Sequence, residues 1–247
     1  FVSSDEIIEV TVSYQGQDVE VVRLKEIFKN QPTTVEFRKS DLTTGVELDG
    51  ATLTVLDKDG NEIDKWTSVK GEPHIIKRLH VGETYILREE FAPYGYLKAE
   101  EVEFTITDTA EIQKVEMKDD VPIGRIIINK KGEFLSEVSW NDMVAGAMDS
   151  IWGYVTGSLK DVTFEIYARE DIKAADGESD DYYKKDELVA TIKTDELGIA
   201  RTDDLPLGKY YVVEKETADG FVLDGEPRDI DLTYRDQDTP VVTFDSE

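Results

Sequence analysis

The stretch GETYILREEFAPYGY, residues 82–96, returns as GKYYVVEKETADGF, residues 208–221, and this repetition limits the possible folds more than any other feature. In both copies a Tyr is followed after three residues by Glu, and after five more by Gly and an aromatic ring. Strand alternation puts Tyr85, Leu87 and Glu89 on one face, and Tyr210, Val212 and Glu214 on one face. A carboxylate therefore ends an apolar stripe twice. Burial of a carboxylate is costly unless it is paired or neutralised, so an inward Glu in the same frame of two repeats asks for a partner.

The chain around these copies reads as two complete units and a fragment. Residues 33–121 carry short strands separated by turn residues: TTVEFRK, a DLTTG turn, a hairpin around DKDGN, then IIKRL, TYILRE, VEFTI and QKVEM. About seven such strands without intervening helices imply an all-β fold, an antiparallel sandwich. Residues 122–247 repeat the order, with RIIINKK in the place of VEFRK. Residues 1–32 align with the end of a unit, FVSSDEIIEVTV against YLKAEEVEFTI, and are expected to form the C-terminal strands of a preceding repeat.

Two insertions distinguish the second unit. In WNDMVAGAMDSIWGYVTG the residues Trp140, Met143, Val144, Ala147, Ile151, Tyr154 and Val155 recur at helical spacing, predicting one short amphipathic helix over residues 140–155 with Gly157 as its stop. Its stripe is expected to pack on its own sandwich. DIKAADGESDDYYKKDE reads as an exposed acidic loop, because it lacks the acid ladder and closing Glu of a calcium loop.

Charge and composition remove several functions. With 55 acidic against 28 basic residues the net charge is −27, which repels nucleic acid and anionic membranes alike. Cysteine is absent, so disulfides, thiolate zinc sites and cysteine nucleophiles are excluded. Two histidines, His74 and His80, give little material for a metal site or a Ser-His-Asp triad, and no cofactor is expected. No apolar run reaches membrane-spanning length.

Each complete unit also has an inward Lys early and an acid late. In the first, Lys39 shares a face with Val35 and Phe37, and Asp119 shares one with Val115 and Met117. First and last strands of a sandwich can be neighbours, so Lys39, Glu89 and Asp119 can meet inside it. A buried salt bridge is the simplest outcome. Desolvation also permits another, a neutral amine beside a protonated acid, and a neutral amine is a nucleophile.

VEFRKSDLTTGVELDGATLTVLDKDG, YILREEFAPYGY and VEMKDD in the first unit resemble the Cna-B or SpaA-like domains of Gram-positive surface proteins and pilins. So do RIIINKK, VTFEIYARE and TDELGIARTDDLPLGKYYVVEKETADGF in the second. The resemblance implies tandem prealbumin-like, Ig-like sandwiches in which a Lys and an Asn or Asp join in a spontaneous isopeptide bond assisted by a Glu. Carried over, Lys39 attacks Asp119 with help from Glu89. In the second unit Lys130 and Glu214 take these places, with Asp245 or an Asn past the end of the given sequence as acceptor. Two frames are open for the last strand, one with Val241, Thr243 and Asp245 inward, the other with Val242, Phe244 and Ser246. Asn30 matches the acceptor of the upstream repeat.

The resemblance further implies a structural stalk on an extracellular, wall-anchored surface protein rather than an enzyme, with neighbouring repeats as partners. The alternative it leaves is an adhesin module whose insertions bind a host matrix protein or a glycan.

Overall fold

The computed structural model describes residues 2, 7–18, 30–136 and 153–246. Every helix or strand among them is a strand. Contacts divide the chain into two units, one comprising Phe1–Pro93 and Lys98–Asp120, the other Tyr94–Leu97 and Val121–Glu247.

The first unit holds β1 (Thr34–Asp41), β2 (Thr52–Leu56), β3 (Glu62–Thr67), β4 (His74–Lys77), β5 (Thr84–Phe91), β6 (Val102–Thr105) and β7 (Ile112–Asp119). They form a three-stranded sheet in the order β4-β1-β7 and a four-stranded sheet in the order β3-β2-β5-β6. Val35 and Phe37 of β1, Val115 and Met117 of β7, Leu53 and Val55 of β2, and Leu87 of β5 share one core, so the two sheets face each other as a sandwich. Burial of Phe37, Leu53 and Leu87 contributes about 1.5–3 kcal/mol each. The DKDGN hairpin forms as its residues require. Gly60 takes φ +82°, and Asp57 accepts hydrogen bonds from the main-chain N–H groups of Asp59 and Asn61.

The second unit holds β8 (Ile123–Asn129), β9 (Lys131–Ser136), β10 (Gly153–Ser158), β11 (Thr163–Ala168), β12 (Leu188–Lys193), β13 (Ile199–Arg201), β14 (Leu205–Pro206), β15 (Gly208–Glu216), β16 (Arg228–Leu232) and β17 (Val241–Ser246). One sheet runs β12-β11-β15-β16. In the other, β8 pairs with β13 and β14 and also with β17. Its core joins Ile126 and Ile128 to Phe164, Ile166, Tyr210 and Val212.

Three expectations need correction. The sandwiches are not wholly antiparallel, since β1 pairs with β7, and β8 with β17, in parallel. A long crossover between first and last strands permits this, whereas hairpin-linked neighbours must be antiparallel. The IIEVTV segment is not a strand, and Ile7, Val10 and Val12 are exposed by 87%, 53% and 68%. Among the described residues no strand pairs with this segment, so its apolar alternation is left facing solvent.

The third correction concerns the helix over residues 140–155. Residues 137–152 lie outside the described residues, but Tyr154 and Val155 belong to β10, where they pair with Leu135 and Phe134. β-branched and aromatic residues facing one another across two strands favour that pairing. Gly157, expected as a helix stop, instead lies opposite Gly132 within this hairpin. A Cβ at Gly157 would come 3.1 Å from the Phe134 ring, and one at Gly132 would come 2.5 Å from the Phe221 ring. The two glycines make room for the edge-to-face pair of Phe134 and Phe221, 5.4 Å between centroids.

The acidic insertion is an irregular loop closed by a bridge between Ile172 and Tyr183 and anchored by the buried Ile172. Among the described residues no group of three or more His, Asp or Glu is placed to hold a metal ion. His74 stacks on Trp66 at 4.1 Å and meets Asp64 at 2.9 Å.

Candidate functional site

Strand alternation brings Lys39, Glu89 and Asp119 together in the first unit. β1 turns Val35, Phe37 and Lys39 inward, β5 turns Tyr85, Leu87 and Glu89 inward, and β7 turns Val115, Met117 and Asp119 inward. The parallel register sets Lys39 opposite Met117 and Asp41 opposite Asp119, so the amine reaches its acid diagonally near the ends of both strands. All three side chains are fully shielded from solvent. Lys39 Nζ contacts Asp119 Oδ1 and lies 3.0 Å from Glu89 Oε1.

Two neighbouring features close and aim this site. The DLTTG turn folds over it: Leu42 N–H donates to the Asp119 carbonyl at 2.8 Å, Leu48 N–H donates to the Lys39 carbonyl at 2.9 Å, and Asp41 Oδ1 accepts from Thr43 and Thr44 N–H at 2.7 Å. A register shift between β2 and β5 places Thr52 opposite Phe91 but Leu53 opposite Glu89, a bulge at the very end of the inward stripe. The second unit has the same device, with Thr163 opposite Glu216 and Phe164 opposite Glu214. Bulges bend a strand and re-aim a side chain, and they recur beside functional groups. Neither the turn's closing role nor the bulges could be read from the sequence, because alternation alone carries no sign of an extra residue.

The electrostatics favour a protonated acid. Burial pushes the Asp119 carboxyl up to about 7, opposed by the Lys39 charge and its hydrogen bond and reinforced by repulsion from Glu89. Asp119 Oδ2 and Glu89 Oε1 are buried and accept no hydrogen bond. Two acceptor oxygens facing one buried amine are best satisfied when one carboxyl keeps its proton.

In the second unit, among the described residues, the lysine forms its ion pair with the glutamate. Lys130 Nζ lies 2.6 Å from Glu214 Oε2, with the glutamate buried and the lysine side chain 24% exposed. Asp245 is not there. Its parallel partner is Ile127, so it points to the face opposite Lys130, and it accepts from Asn129 Nδ2 at 2.6 Å on the surface. The buried Val242 shows that the frame with Val242, Phe244 and Ser246 inward is the one adopted. In the first unit the acceptor stands two residues beyond the register partner of the lysine, and the same offset from Lys130 passes Glu247. Asn30 is exposed.

The backbone of Lys130 is fixed by Gly198, whose carbonyl accepts from Lys130 N–H at 2.8 Å. Gly198 has φ +72°, and a Cβ there would come 2.5 Å from the Lys130 carbonyl oxygen. Gly198→Ala should therefore destabilise the second unit by about 1–3 kcal/mol, with the first unit unaffected in a thermal melt that resolves both.

A two-sheet sandwich whose first and last strands run side by side in parallel, with a lysine paired to a buried carboxyl, defines a prealbumin-like domain, here present twice. The chain belongs to the SpaA family of prealbumin-like fold domains, whose model matches residues 33–121 and 154–247. Similar solved structures include the Bacillus anthracis TIE protein, 24% identical with a TM-score of 0.52, covering 88% of this chain and 34% of that one. The chain thus spans about a third of that protein's length. The Streptococcal ancillary pilin is 14% identical with a TM-score of 0.34, over 89% of this chain and 64% of its own. BcpA, the major pilin subunit of Bacillus cereus, is 13% identical with a TM-score of 0.34, over 87% of this chain and 99% of its own. No curated protein matches the sequence.

Proposed function

We infer that this chain is a load-bearing segment of an extracellular, wall-anchored stalk or pilus-like fibre, and that its first unit is locked by an isopeptide bond between Lys39 and Asp119. The observation that carries this reading is the dry contact of Lys39 with Asp119 beside Glu89, with the Asp119 carboxyl pushed up to about 7.

The chemistry follows from that environment. Within the core the proton moves from the Lys39 ammonium to the carboxyl pair, leaving a neutral amine and a protonated acid. Nζ attacks Cγ of Asp119 and a C–N bond forms. Glu89, at 3.0 Å from Nζ, takes a proton from the amine and returns one to the departing hydroxyl. The C–OH bond breaks and one water leaves. Proximity replaces substrate binding, the group acts once on its own chain, and no external substrate is turned over. Neighbouring repeats of the same chain are the partners of such a segment. Joining first to last strand makes pulling force bypass most of the sandwich.

Intact mass tests this directly. The purified chain should weigh one water less than its sequence, with the loss mapped to a Lys39–Asp119 crosslinked peptide. A full sequence mass would leave only a buried ion pair. The second unit, in which Asp245 faces away from Lys130, should add no further loss. Its amine should instead be open to reagent: acylation of the folded chain should label Lys130 and leave Lys39 untouched, as read by peptide mapping. Label on Lys39 would contradict the closed site.

One observation favours the alternative of a ligand-binding module. Leu135, Tyr154 and Val155 are exposed on the β9–β10 hairpin, most of which precedes the second family match. Binding assays against matrix proteins and a glycan array test it.

A further inference from the structure

The two units carry the same Lys–Glu pair in the same strand frame, yet their lysines make different contacts, and one main-chain group separates them. In the first unit the Ala99 N–H donates to Glu89 Oε2 at 2.7 Å. With that oxygen occupied, Oε1 turns to Lys39 at 3.0 Å and the amine contacts Asp119. In the second unit Glu214 Oε2 is taken by Lys130 itself at 2.6 Å, and the buried Glu214 Oε1 accepts no hydrogen bond.

The loop after each Gly-aromatic pair explains the difference. Ala99 stands three residues past Tyr96, packs on the first core, and presents its N–H to β5. The residue three past Phe221 is Asp224, a surface acid whose Oδ2 accepts from Arg228 at 2.6 Å. Lys130 is among the charges that hold the Asp224 carboxyl low, so this loop position borders the lysine site in the second unit too. An apolar residue draws the loop inward and delivers a backbone donor, whereas a charged one keeps it at the surface.

We propose that the main-chain N–H of Ala99 is a positioning group for the crosslinking reaction: it holds Glu89 Oε2, aims Oε1 at the reacting pair, and leaves Lys39 free to meet the carboxyl it attacks. The proposal rests on the isopeptide reading above. It identifies a donor in the β5–β6 loop as part of what makes one unit competent, beyond the three side chains that react.

The test keeps the full chain and removes only the donor. Lactic acid incorporated in place of Ala99 converts the amide into an ester, deleting the N–H while keeping the methyl and the backbone path. The chain is held in denaturant, diluted to fold, and followed by intact mass. Water loss should slow at least tenfold. Ala99→Gly, which keeps the N–H and deletes the methyl, should react at the parent rate. An ester chain with the parent rate overturns the positioning role, while a Glu89→Gln chain that loses no water leaves the isopeptide reading intact. A slow Ala99→Gly would assign the effect to packing and overturn it equally. Absence of water loss from the parent chain would instead sink the isopeptide reading itself.

Discussion

Lys39→Ala should lower the melting temperature of the first unit by about 20–30 °C and open that unit to protease. Lys39 and Asp119 lie 80 residues apart in sequence, so a bond between them closes nearly the whole unit into a covalent loop. In the chain-entropy model such a closure removes unfolded-state freedom equivalent to about 4–5 kcal/mol. For a unit of this size each kcal/mol corresponds to about 4–8 °C. The substitution also leaves Glu89 and Asp119 buried without their cation, which adds to the loss. Differential scanning calorimetry with limited proteolysis reads both effects, and an unchanged first-unit transition with full protease resistance would remove the crosslink from the account.

Glu89→Gln separates the bond from the ion pair. The amide keeps the volume and can still accept from Ala99 N–H, but it has no acid proton to exchange, so the unit should fold with Lys39 and Asp119 unjoined and with no water lost. A parent rate of water loss would show that Glu89 is not the proton shuttle. The unjoined chain should also acquire a pH dependence that the parent lacks. Burial, the largest cause, holds the Asp119 carboxyl near 7 in the folded unit against an ordinary 3.8. The folded state then binds this proton more tightly than the unfolded chain, and stability from this group declines as pH rises from about 4 to about 7. Once the carboxyl is an amide nothing remains to titrate. The gap in melting temperature between parent and Glu89→Gln should therefore widen over that window, and a constant gap would mean that Asp119 is already ionised in the unjoined fold.

What was legible in the sequence was set by period-two geometry. Apolar residues at every second position assign Lys39, Glu89 and Asp119 to inward faces, because a slip by one residue would put whole stripes in water. The same argument assigns Lys130 and Glu214. It fails at β17, where Val241 and Val242 are both apolar and either frame is acceptable to local preference. Only pairing with β8 decides it, turning Val242 inward and Asp245 out to Asn129. It fails also at Tyr154 and Val155, whose spacing suits a helix until Leu135 and Phe134 are placed opposite them.

The sequence by itself determined most strands of the two complete units, the inward faces of β1, β5, β7, β8 and β15, the repeated glutamate frame and the absence of thiol chemistry. The tertiary structure alone decided that first and last strands run parallel, that a bulge re-aims each glutamate, and that the DLTTG turn and Ala99 N–H close over one site. The division has a physical reason. Side-chain alternation is a local property of one strand, written in neighbouring residues. Register, bulges and main-chain donors arise between segments distant in the chain, where any residue supplies the same N–H and C=O and only packing chooses which of them meet.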